Sequence, residues 1–136
     1  MASGSTCGRA MRAIDSNVLV RMITRDDPRH AAQADAFVTS GAWVSVLALA
    51  EATWVLASVY DMSLPAIATS VRMLLDHEQL TIQDPDVVEA ALDRLKAKPV
   101  VSFSDALLLE LARRAGHLPL GTFDHGLAKR DGAEKL

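Results

Sequence analysis

The stretch Arg12-Ala-Ile-Asp-Ser-Asn-Val-Leu-Val20 decides the fold. It opens with a short apolar run, typical of a buried strand, which three small polar residues then interrupt. Apolar residues return from Val18 onward, so the pattern predicts a strand, a polar turn and a helix. Asp15 then lies at the carboxyl end of the strand, the edge where open α/β sheets bind ligands. The alternative is that Asp15 only caps the helix that follows.

Length and composition limit what the chain can be. Its 136 residues are the size of one domain and are enough to bury a core. The net charge of −3 provides no global basic field, so a nucleic-acid substrate would need local basic patches or bound cations. The single cysteine, Cys7, excludes an internal disulfide and a multi-cysteine metal site. Residues 1–10 are small, polar and aperiodic, so we predict a tag or an extended N-terminus there and a single domain over residues 11–136.

Strand and helix patterns alternate along the rest of the chain, which favours a mainly parallel sheet covered on both faces. A membrane span over residues 42–60 is the alternative for the most apolar segment. Glu51 near its middle argues against a span, and we predict a strand running into a helix. Further helices are predicted over about 29–40, 47–59, 65–75, 85–96, 106–115 and 125–130, strands over 43–46, 80–82 and 118–122, and an extended or loop segment over 99–103.

Three acidic residues stand in similar local contexts. Asp15 and Asp124 each follow an apolar run and precede a helix, and Asp105 begins a helix. In a parallel sheet, strand ends and the helix starts after them gather at one edge. A helix start also favours negative charge, so a capping role remains open for each of the three.

Glu51 is the charged residue that separates the two interpretations. It is the sole charged residue between Gly41 and Tyr60, and on a helix it shares a face with Trp54 and other apolar residues. We expect this carboxylate to be buried, which is costly unless it is paired or binds a metal. The alternative is a solvated position on an otherwise buried helix.

The four acids together suggest a site for a hard cation. Mg²⁺ and Mn²⁺ prefer carboxylate and water oxygens, and they can activate water and bind the oxygens of a phosphodiester. Several carboxylates held close together would repel one another without a metal.

Four segments resemble the PIN-domain family of metal-dependent ribonucleases, and within it the VapC-type toxins of toxin–antitoxin modules. The resemblance covers residues 11–136 and implies a three-layer α/β/α fold with a mainly parallel central sheet. The segments that carry it are Ile14-Asp15-Ser16-Asn17-Val18-Leu19, Leu49-Ala50-Glu51-Ala52, Phe103-Ser104-Asp105-Ala106-Leu107 and Gly121-Thr122-Phe123-Asp124.

The resemblance also implies roles for individual residues. Asp15, Glu51, Asp105 and Asp124 would be the catalytic residues and hold one or two Mg²⁺ or Mn²⁺ ions. Asn17 and Thr122 would support those ligands from outside the metal site. Some relatives carry a further acid near the third or fourth acidic position, where this chain has Ser102 and His125.

The predicted activity is hydrolysis of RNA phosphodiester bonds, and the resemblance implies a 5′-phosphate product and no covalent intermediate. Arg21 and Arg25 share a helix face soon after Asp15, so they are predicted to contact RNA phosphates. The resemblance further implies a homodimer, a cognate antitoxin and a cytoplasmic location without membrane attachment.

Two other functions are weighed against this prediction. One is a non-catalytic PIN-like binding module, which would have no need of Glu51 on an apolar helix. The other is a phosphoacceptor or phosphatase-like α/β domain using Asp15. That chemistry usually requires a second Asp close by, but position 17 is Asn.

Overall fold

The computed structural model describes residues 11–97 and 101–136. The predicted tag or extension over residues 1–10, and Pro99 in the predicted loop, lie outside the described residues. Helices and strands alternate as the sequence predicts. In chain order they are β1 (Arg12–Ala13), α1 (Ser16–Thr24), α2 (Pro28–Val38), β2 (Ala42–Val44), α3 (Val46–Ser58), α4 (Leu64–Leu75), β3 (Leu80–Ile82), α5 (Pro85–Ala97), α6 (Phe103–Ala115), β4 (Leu120–Thr122), α7 (His125–Ala128) and β5 (Ala133–Lys135).

All strand pairs in the described residues are parallel, and they form two separate hydrogen-bonded sheets. The first has the order β1-β2-β3, with Ala13 opposite Trp43 and Val44 opposite Ile82. The second joins β4 to β5, with Thr122 opposite Lys135. The mainly parallel sheet is confirmed. Because the strands of each sheet run the same way, their carboxyl ends share one edge, and Asp15 follows β1 there.

One apolar core lies beneath the helices. Its members come from most of the elements: Ile14 before α1, Leu49 on α3, Phe103 on α6 and Leu127 on α7 all belong to it. Leu127 and the half-buried Leu120 connect the second sheet to the same core as the first. The helix starts that carry the acidic residues are therefore fixed to a common interior.

Polar residues begin the helices as the sequence suggests. Asp27 accepts hydrogen bonds from the backbone of Arg29 and His30, both at 3.1 Å, and Pro28 opens α2. Ser45 caps α3 by accepting from the backbone of Ala48 at 3.0 Å.

The strongly apolar segment over residues 42–60 folds into β2 and α3, as predicted. Within the part of the chain that the structure describes, no helix has the length and apolar character that crossing a bilayer requires.

Candidate active site

Asp15 is both a helix cap and an exposed carboxylate. Its Oδ1 accepts a hydrogen bond from the backbone N–H of Val18 at 3.1 Å, which makes it the N-cap of α1. Its backbone carbonyl also accepts from Leu19 at 3.4 Å. Oδ2 has no hydrogen-bond donor among residues 11–97 and 101–136. Asp15 therefore does cap α1, and the cap leaves its other carboxylate oxygen without a donor in the described part of the chain.

Asp124 repeats this arrangement at the second sheet. It follows β4 and caps α7, where its Oδ2 accepts from the backbone of Leu127 at 2.7 Å. Thr122 Oγ1 accepts from the backbone N–H of Asp124 at 3.0 Å. The predicted supporting residue Thr122 therefore contacts the backbone of Asp124, which fixes the turn that carries the carboxylate.

Asp105 lies inside a helix and does not begin it. The prediction that α6 starts at Ala106 was wrong, because Ser102 caps a helix that already begins at Phe103. Ser102 Oγ accepts a hydrogen bond from the backbone N–H of Asp105 at 3.1 Å. Asp105 follows Ser102 by three residues, which is a usual spacing between a cap and the amide that it binds. The half-buried side chain of Asp105 is thus not used for capping.

Glu51 is exposed, so the argument from a buried carboxylate was wrong. It does share a helix face with Leu47 and Trp54, but that face points to solvent, with Leu47 68% and Trp54 63% exposed. The buried face of α3 carries Leu49, Ala52 and other residues instead. Because α3 is apolar nearly all round, the sequence pattern did not show which side packs inward.

The four acids offer the right donor chemistry for a hard cation. None of them forms an ion pair with any residue that the structure describes. Oxygen donors of this kind suit Mg²⁺ or Mn²⁺. However, no three His, Cys, Asp or Glu side chains within residues 11–97 and 101–136 are placed together as metal ligands. The donor set fits a divalent metal, while a preassembled cluster is not present in the described residues.

A groove of about 510 Å³ runs between α1 and α2. Asn17 lies two residues after Asp15 in the sequence. Its exposed side chain lines this groove. Phe37 forms part of its apolar wall, and the guanidinium of Arg12 lies 3.8 Å from the centre of that ring. Arg21 also lines this groove.

The two arginines predicted to contact RNA are engaged by carboxylates. Arg21 Nη1 lies 2.8 Å from Asp26 Oδ1, and Arg25 Nη2 lies 2.6 Å from Asp35 Oδ2. Each pairing raises the pKa of the arginine, because the hydrogen bond favours the charged form. The pKa of Asp35 is lowered by Arg25, and that of Asp26 is lowered first by the hydrogen bond from Tyr60 and then by that from Arg21. A phosphate that binds either arginine must share it with a carboxylate.

Phe123 belongs to one of the four segments that carry the resemblance, but the sequence assigned it no role. It stands between Thr122 and Asp124 and is 77% exposed. An apolar residue directly after a strand is usually interpreted as part of the core, so only its place beside a site acid could have drawn attention to it.

The fold and the site together define a class of protein: a parallel α/β domain with carboxylates at the starts of its helices. Within the described residues these carboxylates form no ion pairs. A family model described as the PIN domain matches residues 13–133, and the chain belongs to the PIN-domain family, whose fold is of nuclease type. A comparison with curated proteins gives no match.

Proposed function

We propose that this chain is a Mg²⁺- or Mn²⁺-dependent ribonuclease, the VapC-type toxin of a type II toxin–antitoxin pair in the cytoplasm. The chain belongs to the PIN-domain family, and one structural observation supports the proposal beyond that membership. Asp15 and Asp124 each cap a helix with one carboxylate oxygen and leave the other without a donor in the described residues. A cap that holds one oxygen in place restricts the directions that the second oxygen can take, which would favour binding of a ligand there.

We assign each of the four acids a role in binding cations or positioning water. Asp15, Asp105 and Asp124 would hold the cation, and Glu51 would bind a second cation or position the attacking water. When bound, a divalent cation supplies an activated water and stabilises the charge on the scissile phosphate. The caps of α1 and α7 keep Asp15 and Asp124 oriented, which reduces the reorganisation that catalysis needs.

RNA contacts are proposed at Arg21 and Arg25, with Asn17 supporting the carboxylate of Asp15. The groove between α1 and α2 supports the roles of Asn17 and Arg21, because both side chains line it and Asn17 lies two residues after Asp15. An RNA phosphate would share these guanidinium groups with Asp26 and Asp35, to which they are paired.

Protein partners are also part of the proposal: a second copy of this chain and an antitoxin. The support is the exposed apolar surface of α3 and its end, where Leu47 is 68% and Val59 is 70% exposed. A homodimer predicts that light scattering gives twice the mass of one chain across a range of concentrations. A monomeric mass throughout would remove the dimer from the proposal.

The test is cleavage of total cellular RNA by the purified protein with Mg²⁺ and with chelator, followed by mapping of the cut ends. Asp15→Asn and Asp124→Asn should each abolish the Mg²⁺-dependent cleavage because the amide binds a cation poorly. Asn caps a helix about as well as Asp, so the thermal midpoint should stay close to that of the wild type.

The matched control is Asp27→Asn, which changes the cap of α2 and lies outside the proposed acidic set. It should cut RNA like the wild type. Full activity in both Asp15→Asn and Asp124→Asn would refute the assignment. RNA binding without cleavage by the wild type would favour the binding module, and incorporation of phosphate from a phosphoryl donor would favour the phosphoacceptor domain.

A further inference from the structure

The segment after β4 presents an aromatic side chain to solvent beside a proposed site acid. Phe123 is 77% exposed, more than Trp54, Trp43 or any other large hydrophobic residue that the structure describes. Its backbone is nonetheless held on both sides. The amide of Asp124 donates to Thr122 Oγ1 at 3.0 Å, and the carbonyl of Thr122 accepts from the backbone of Leu136 at 2.9 Å. A rigid backbone thus carries an exposed ring.

A cationic group lies at the same edge. Lys135 pairs with Thr122 across the β4–β5 ladder. Its Nζ lies 3.0 Å from Nε2 and 3.1 Å from Nδ1 of His125, the residue after Asp124. Within the described residues Lys135 forms no ion pair with a carboxylate, unlike Arg21 and Arg25. Its positive charge therefore remains available to an anion from outside the chain.

The combination matches a single RNA strand better than an apolar protein surface. A single exposed hydrophobic residue is normal in a folded protein and carries no meaning by itself. An exposed aromatic ring one residue beyond Thr122, the strand partner of Lys135, however, places a stacking surface and a cation at one edge of the same sheet. A base can stack on the ring and a phosphate of the same strand can bind the cation.

We propose that Phe123 is a base-stacking residue for an unpaired nucleotide of the RNA, and that Lys135, held at His125, binds a phosphate of the same strand. This inference rests on the proposed ribonuclease function, because it places the nucleotide beside Asp124 and hence next to the bond to be cut. Phe123 would act by positioning the strand and takes no part in the chemistry.

The test measures binding in chelator, where no cleavage interferes. Fluorescence anisotropy is recorded with a labelled oligoadenylate and with an abasic oligomer of the same length. Phe123→Ala and Phe123→Leu should each weaken oligoadenylate binding by about 5- to 150-fold, the range that loss of one stacked base implies. Both should bind the abasic oligomer like the wild type. Phe123→Trp should restore oligoadenylate binding, and Lys135→Gln should weaken binding of both oligomers equally.

Met11→Ala is the matched control, since Met11 is 50% exposed and directly precedes β1, at the amino end of a strand in the other sheet. It should leave both affinities unchanged. The proposal is overturned if Phe123→Leu binds oligoadenylate like the wild type, or if its affinity for both oligomers falls by the same factor. It is also overturned if the wild type binds oligoadenylate and the abasic oligomer with equal affinity. If the wild type shows the stacking effect but cuts no RNA with Mg²⁺, the ribonuclease proposal fails and Phe123 remains a stacking residue of a binding protein.

Discussion

Asp26 is the residue with the densest set of polar contacts around the candidate site. Its carboxylate accepts from Tyr60 Oη, Arg21 Nη1 and Thr24 Oγ1, each at 2.8 Å. The bonds from Tyr60, Arg21 and Thr24, in that order of effect, hold the pKa of the Asp26 carboxyl well below its ordinary value of 3.8. Asp26 thereby links the end of α1 to Tyr60, just beyond α3.

The lowered pKa of Asp26 predicts a pH dependence of stability. A carboxyl whose pKa is lower in the folded state stabilises the fold above its unfolded pKa, and that stabilisation is lost as the pH falls. The free energy of unfolding of the wild type should therefore decrease as the pH falls below 3.8. Asp26→Asn should flatten this decrease, and Tyr60→Phe, which removes the bond with the largest effect, should flatten it partly. Urea unfolding at a series of pH values measures both, and an unchanged slope in Asp26→Asn would contradict the prediction.

At the residue scale, sequence reasoning succeeded where the local context settles the answer. Asp15 and Asp124 follow strands and precede helices, and the structure shows both as caps. It failed for Glu51, because exposure depends on which side of α3 meets α1 and α6. That depends on the packing of distant segments, so a single apolar helix could not reveal it.

At the scale of elements, a buried acid joins α5 to α6. Glu110 on α6 is 7% exposed and accepts a hydrogen bond from Arg94 Nε on α5. Arg113 Nε lies 3.6 Å from its other carboxylate oxygen. Two arginines thus neutralise one carboxylate between the helices, which lowers the cost of burying it.

Removing this acid should destabilise the fold. Glu110→Ala leaves the partly buried Arg94 without its partner, and the loss of a hydrogen bond to a charged group costs about 1.5–3 kcal/mol. Urea unfolding at neutral pH measures the change. Asp93→Asn, an exposed acid on α5, is the control and should change stability by no more than about 0.5 kcal/mol. Equal effects of the two substitutions would show that the buried pair contributes nothing specific.

Element boundaries followed from sequence where caps and apolar spacing agree. The strand at Leu80–Ile82 has the predicted bounds, and α4 ends at Leu75 as expected. The strand β5 was not predicted, since its three residues, Ala133–Lys135, include two charged ones and form a strand only by pairing with β4. Such short strands are specified by their neighbours more than by their own residues.

At the scale of the whole molecule, the net charge of −3 means that RNA affinity must depend on a few local cations. We predict that Arg21→Gln and Arg25→Gln each weaken RNA binding and reduce the slope of log affinity against log salt by about 0.7, the value for one phosphate contact with a single strand. Binding titrations at several salt concentrations measure the slope.

The control for the salt series is Arg72→Gln. Arg72 is also paired to a carboxylate, with its Nη1 2.8 Å from Glu89 Oε1, and it lies on α4, away from the proposed site acids in sequence. Its slope should equal that of the wild type. Unchanged slopes in Arg21→Gln and Arg25→Gln would show that both guanidinium groups stay with Asp26 and Asp35 when RNA binds.

The position of β5 has a practical consequence for every assay described above. Leu136 bonds to Thr122 through its backbone, and Lys135 contacts His125, so the chain reaches position 136 at the same edge that carries Asp124. Any polypeptide joined after Leu136 begins beside Phe123 and can cover the surface where RNA is expected. An affinity tag, a fluorescent protein or an immobilisation anchor placed after Leu136 should therefore reduce RNA binding until a protease removes it.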